Sequence, residues 1–207
     1  MIYVAILGFG VVGSGAAEVL AANRAVIEKN LGKAVAVKRI LDLREFPDNP
    51  FGHLVTQDFN DILTDKEITV VAEMMGGSHP AYDFTKACLE KGKHVVTSNK
   101  EVVARFGAEL LEIAAKNGVR YLFEASVGGG IPVIRPMVND LASNKIEQVD
   151  GILNGTTNYI LTKMIAGADF ADALKEAQAK GYAEANPAAD VEGLDAARKI
   201  VILAALS

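Results

Sequence analysis

Tryptophan is absent from this chain of 207 residues, and cysteine occurs once, at Cys88. A single cysteine closes no intrachain disulfide, so the core must hold the fold, and a reducing cytoplasm is the expected setting. A basic excess is missing too: 21 Lys and Arg stand against 26 Asp and Glu, a formal net charge of −5. That balance excludes a phosphate-neutralising surface, and nucleic acid is not an expected partner. His53, His79 and His94 stand far apart and join no HxxxH or CxxC pattern, so no zinc site is expected. No run is long and apolar enough to span a bilayer, and a membrane is not an expected partner. The apolar N-terminus lacks the basic region of a signal peptide, and its glycines fit a turn better. What is present is a chain half hydrophobic and 23% charged, the balance of a globular protein with one large domain or one and a half.

The first part of the chain alternates strand and helix. "YVAILGFG" is a short apolar run ending in glycines, and "VVGSGAAEVLAANRAVIEKN" follows at helical spacing. "AVAVKRILDL" reads as a second buried strand, followed by the loop "REFPDNPFGH". "ITVVAEMM" is a third strand leading through "GGSHP" into the helical "AYDFTKACLEKG". "HVVTS" is a fourth, leading into "EVVARFGAELLEIAAKNG", and "VRYLFEAS" is a fifth. This rhythm predicts an α/β, Rossmann-like doubly wound parallel sheet with right-handed crossovers over residues 1–130.

Beyond it the pattern changes. "VGGGIPVIRPMVNDLAS" reads as a glycine loop entering a helix with Pro132 near its first turn, and "IEQVDGILNG" as a strand. "TTNYILTKMIAG", "ADFADALKEAQAKG" and "GLDAARKIVILAAL" are helical. Residues 131–207 are therefore expected to open an α+β substrate and dimerisation domain that takes the rest of its sheet from elsewhere.

Gly8, Gly10 and Gly13 have the GxGxxG spacing between the first strand and the first helix. Gly8 serves the tight turn, Gly10 the approach of a pyrophosphate, and Gly13 close packing of helix on strand. The helix then offers free N–H groups and a positive dipole end to the phosphates. At the end of the second strand, Asp42 can accept from the ribose hydroxyls of NAD, whereas Arg44 can pair with the 2′-phosphate of NADP. Asp42 is nearer the strand end, which favours NAD. Lys100 follows the fourth strand, with Ser98 or Asn99 as helix cap. A cation in a first helical turn opposes the dipole, so this placement suits chemistry better than structure.

Together "LGFGVVGSG", "VVTSNKEVVA", "FEASVGGGIPVI", "GILNGTTNYIL" and "GYAEANPAADVEGLDAARK" resemble homoserine dehydrogenase, in that family's order and over essentially the whole chain. The resemblance implies reversible conversion of L-homoserine and NAD(P)⁺ into L-aspartate 4-semialdehyde and NAD(P)H, in the route to threonine and methionine. It implies that Lys199 is the acid/base and Lys100 the other active-site lysine, and that Glu184, Asp195, Asp190 and Gly181 line the substrate. Cofactor contacts are implied at Gly8, Phe9, Gly10, Val11, Val12, Gly13, Asp42, Arg44, Gly76, Ser98 and Lys100. A monovalent cation, Na⁺ or K⁺, is implied on main-chain oxygens of Glu124, Val127, Gly129 and Ile131, with a homodimer formed through the second domain.

The residues agree with this in kind. Asp195 and Lys199 share one helix face, so the acid can meet an ammonium while the lysine faces the hydroxyl being oxidised. Thr156, Thr157 and Asn158 read as caps of the helix that follows, with Gly155 allowing its entry. Two features depart from the family. Leu43 falls about where many relatives carry an NADP-reading arginine, which supports NAD or dual use. Relatives also normally continue well past the catalytic lysine, so this chain, ending at Ser207, is expected to lack part of the substrate domain. Two alternatives fit the same residues: a nucleotide-binding fragment with its acids and lysines unassembled, or a related enzyme such as aspartate dehydrogenase.

Overall fold

In the computed structural model, which describes residues 1–207, the strand β1 (Ile2–Leu7) is buried from Val4 to Leu7. Its unbroken apolar run suits a parallel strand enclosed on both faces. A helix at α1 (Val11–Ala22) and a second at α2 (Arg24–Leu31) come next, where one continuous helix is predicted. The break is local: Asn23 leaves the helical region at φ −100° and ψ 15°. β2 (Val35–Leu41) follows, and the predicted loop after it contains the short β3 (Val55–Thr56) and leads to α3 (Asn60–Leu63). β4 (Ile68–Glu73), α4 (Ala81–Glu90), β5 (His94–Thr97), α5 (Lys100–Lys116) and β6 (Tyr121–Leu122) complete the unit Met1–Ser126.

All pairings are parallel, in the order β3-β2-β1-β4-β5-β6. The doubly wound sheet is as predicted, with one additional edge strand. The order reverses between β1 and β4, and the crevice at such a switch point is where ligands bind in open α/β sheets. Register sharpens this, because Leu7 lies beside both Leu41 and Glu73, and Glu73 beside Thr97. The loops after β1, β2, β4 and β5 therefore leave from one edge. Cys88 is buried in α4, and burial pushes its thiol up to about 12.

The glycine turn closes on itself. Gly8 has φ +90°, and a Cβ there would meet the Met74 carbonyl oxygen at 3.1 Å. A Cβ on Gly13 would overlap the carbonyl oxygen of Gly8, so α1 can lie this close to β1 only with glycine. A Cβ on Gly10 would meet nothing within 4 Å. The space it leaves lies outside the chain, where a pyrophosphate would approach.

The second unit, Val127–Ser207, begins four residues before the predicted boundary and contains helices only. Gly128 and Gly129 are left-handed, and the wide helical turn after them (Pro136–Asp140) has Pro136, not Pro132, in its first turn. The strand predicted at "IEQVDGILNG" is not formed, since no second strand in residues 127–207 offers a ladder. α6 (Gly155–Ile165) and α7 (Phe170–Ala179) pack through Ile160, Ala173 and Ala177. α8 (Ala188–Val191) leads to α9 (Leu194–Ala205), anchored by the buried Ile202 and Leu203.

The two glycines predict opposite responses to alanine. Gly13→Ala forces a backbone shift and should cost about 1–3 kcal/mol in urea unfolding. Gly10→Ala fills only solvent and should cost less than about 1 kcal/mol, the cap preference of glycine over alanine.

Candidate functional site

At the sheet edge a cleft of about 550 Å³ is lined by Gly8, Gly10, Asp42, Arg44, Met75 and Gly76, among others. Six of the predicted cofactor positions belong to the α1 turn, whose first internal bond runs from the Ser14 N–H to the Gly10 carbonyl. The N–H groups before it have no partner within the helix, an arrangement ready for an anion. Val11 and Val12 are exposed at that end. Phe9 differs: its ring is buried edge-on to Phe46 at 5.0 Å, and its N–H donates to Asp42 Oδ2 at 2.8 Å.

Asp42 is not the open acceptor expected from its place after β2. Oδ1 accepts from the Arg44 backbone N–H at 3.0 Å and from Arg44 Nε at 2.9 Å. Oδ2 accepts from Phe9 N–H and from Arg44 Nη2 at 3.0 Å. Four donors fill the roughly four lone-pair positions a carboxylate has. A ribose hydroxyl can reach Asp42 only if Arg44 lets go. The Arg44 side chain is 63% exposed and its guanidinium lies over the Phe46 ring at 5.1 Å.

Glu73, unremarked in the sequence, ends β4 fully buried. Its carboxylate accepts from the Met75 N–H at 2.7 Å and the Thr97 hydroxyl at 2.6 Å. Burial pushes its carboxyl up, against the downward pull of hydrogen bonds from Thr97, Met75 and Asn99. The available signal was a single acid inside the apolar run "ITVVAEMM". Asn99, one of the two predicted caps, accepts from the Val102 N–H and donates to the carbonyls of Met75 and Gly77. It thereby ties the loop bearing Gly76 to the start of α5, where Lys100 is half-buried. Ser98 donates to Met74 Sδ at 3.6 Å. Phe59 and Phe84, stacked at 4.1 Å, also line the cleft and carried no motif.

The second unit has its own cluster. Lys199 Nζ lies 2.7 Å from Asp195 Oδ2 and donates to the Leu153 carbonyl at 2.7 Å. Asp195 is 6% exposed, so the pair is not the solvated i,i+4 bridge its spacing also allowed. The Asn154 side chain, 8% exposed, donates through Nδ2 to Asp190 Oδ1 at 2.8 Å and to Asp195 Oδ2 at 2.9 Å. Its Oδ1 accepts from the Thr157 N–H at 2.8 Å. The cap of α6 is thus Asn154 and not Thr156, Thr157 or Asn158. Thr156 instead donates to the Tyr182 carbonyl and Thr157 to the Asp190 carbonyl.

Two predicted substrate residues stand outside this cluster. Glu184 is exposed, and its main-chain oxygen accepts from Gln178 Nε2. Gly181, at φ +72°, ends α7 with its N–H on the Gln178 carbonyl. Of the implied cation positions, Glu124 lies in a short 3-10 turn, Val127 is buried, Gly129 is left-handed and Ile131 is exposed. No three His, Cys, Asp or Glu side chains gather as a metal site.

Two family models match the chain: one described as homoserine dehydrogenase, NAD binding domain, over residues 8–124, and one described as homoserine dehydrogenase over residues 132–207. A homoserine dehydrogenase of Synechocystis is 47% identical, over 98% of this chain and 47% of its own. One of Bacillus subtilis is 43% identical, over 99% and 48%. Among solved structures, a homoserine dehydrogenase from Thiobacillus denitrificans superposes with a TM-score of 0.87 at 42% identity, covering 99% of this chain and 48% of that one. A hyperthermophilic archaeal homoserine dehydrogenase in complex with NADPH gives 0.86 at 27% identity, over 100% and 69%. The chain spans about half the length of the curated relatives it matches.

The Asp42 bonds predict a pH signature. The Arg44 side chain foremost, with the N–H groups of Arg44 and Phe9, holds the Asp42 carboxyl at about 2 in the fold against an ordinary 3.8, while burial opposes them. A lowered carboxyl adds stability that is complete above its unfolded value and lost as pH falls through the folded one. In urea unfolding against pH, Asp42→Asn should lack the loss that the native chain shows between 3.8 and about 2.

Proposed function

The chain belongs to the homoserine dehydrogenase family, and we propose that it carries the cofactor-binding region and the lysine–acid cluster of an enzyme interconverting L-homoserine and L-aspartate 4-semialdehyde. The observation that carries this reading is the joining of Lys199 and Asp190 to the buried Asp195 and Asn154 in a chain whose other unit has a dinucleotide-type cleft.

A nicotinamide, when bound, supplies the hydride acceptor for the carbinol carbon. In this proposal Gly8, Gly10 and the opening N–H groups of α1 hold its pyrophosphate. Gly76, Ser98 and Lys100 stand along the same sheet edge for the remainder. The chain's own chemical task is then the hydroxyl proton. Lys199 Nζ takes it during oxidation and returns it in the reverse direction. Asp190, Asp195 and the exposed Glu184 hold the amino-acid head, Gly181 shapes the loop before Glu184, and Lys100 is the second active-site lysine. A monovalent cation on main-chain oxygens of Glu124, Val127, Gly129 and Ile131 is part of the same proposal, carried by the family resemblance. A homodimer formed through the second unit is part of the same proposal, carried by the family resemblance.

Cofactor choice is proposed to turn on Arg44. NAD must draw Arg44 off Asp42 before the carboxylate can accept from a ribose hydroxyl, whereas a 2′-phosphate meets the exposed guanidinium directly. Arg44→Ala should weaken NADPH binding by about tenfold or more and leave NADH binding equal or tighter, measured by fluorescence titration. Tighter NADPH binding by the variant would remove Arg44 from the site.

The reaction is tested by NAD(P)H formation from L-homoserine at alkaline pH. Turnover is expected with L-homoserine and not with L-aspartate. Activity confined to L-aspartate would instead make the chain an aspartate dehydrogenase, and cofactor binding without any turnover would make it a non-catalytic fragment. Lys199→Ala should abolish turnover and leave NADPH affinity within about twofold of native.

A further inference from the structure

The buried amide of Asn154 has more hydrogen-bonding capacity than a helix cap uses. Capping α6 needs one acceptor, which Asp, Ser or Thr provide as well as Asn. Here Oδ1 does that work on the Thr157 N–H. The two hydrogens on Nδ2 are surplus to it, and they go to different carboxylates, Asp190 at 2.8 Å and Asp195 at 2.9 Å. Among short side chains only Asn offers one acceptor and two donors in this shape. A flipped amide would set its oxygen against both acids.

The neighbouring residue completes the arrangement. Lys199 donates to the carbonyl of Leu153 and pairs with Asp195. Two consecutive residues, Leu153 and Asn154, therefore hold the three charged groups that come from α8 and α9, across sequence separations of 36 to 46 residues. Two carboxylates placed together repel, and one tends to take up a proton. A donor shared between them holds the two side chains together against that repulsion. An acidic pair fixed in this way suits a protonated amine.

We infer that Asn154 is a positioning residue for substrate recognition, holding Asp190 and Asp195 side by side as a pair that selects substrates carrying a protonated amine. The inference rests on the proposed assignment of these acids to the substrate head.

Asn154→Ser and Asn154→Asp keep the capping oxygen and remove the bridge, so they separate this role from a structural one. Both variants should retain helix content and bind NADPH like the native chain. KM for L-homoserine should rise about tenfold to hundredfold, with kcat falling less. With 4-hydroxybutyrate, which lacks the amine, kcat/KM should fall at least about tenfold less than with L-homoserine. Native KM in both variants, or an equal loss with both substrates, would overturn the inference. A native chain that turns over neither substrate sinks the enzymatic reading instead. The bridge is then decided by NMR: two exchange-protected Nδ2 proton resonances should both shift in Asp190→Asn and in Asp195→Asn, and their absence or indifference would overturn it.

Discussion

The β-ladder register that sets Leu7 beside Leu41 and Glu73 fixes everything else in the first unit. Parallel strands in that register end together, so the residues that follow them crowd one edge. Gly8 turns back there because Met74 already occupies the space a side chain would need. Asp42 reaches the Phe9 N–H there because β1 and β2 finish level. Glu73 ends in the core and spends its carboxylate on the loops after β4 and β5. A slip of one residue between β1 and β4 would reverse the facing of β4 and dismantle all of these together.

The second unit reaches order without a sheet. Its helices use small residues, Ala173 and Ala177, to approach α6 closely, and its longest-range bonds are polar rather than apolar. A buried polar network of this kind is costly unless each member is satisfied. Asn154 uses its oxygen and both hydrogens of its amide, which makes it a strict specification of where α8 and α9 lie against α6. Gly193, left-handed at φ +77°, allows the abrupt turn from one helix into the next.

Much of this was legible in the sequence, for local reasons. The GxGxxG turn, the alternation of strand and helix and the Asn99 cap depend on neighbours a few residues away. So does the Asp195–Lys199 pairing, set by helical periodicity. What was not legible depends on distant partners. Asn154 sits within a run of plausible caps, and nothing in "GILNGTTNYIL" announces acids 36 and 41 residues further on. Asp42 looked available because its competitor, Arg44, was read as an alternative to it rather than as its partner. The segment 145–154 has strand-like composition, and only the absence of a ladder shows why it stays irregular. Burial of the Lys199 pair was beyond spacing alone, since the same spacing describes a solvated salt bridge.

α9 divides its labour along its length. Its first turns carry Asp195 and Lys199, and its later turns carry Ile202 and Leu203 in the core. Acid and amine are thus fixed to one stiff rod, about 6 Å apart along its axis. Because both lie on one helix, their mutual alignment is set by helical geometry alone. Their placement in the second unit depends instead on Leu153 and Asn154, which belong to a different segment. Its apolar end is held by the core, and its charged end is held by those two residues of another segment.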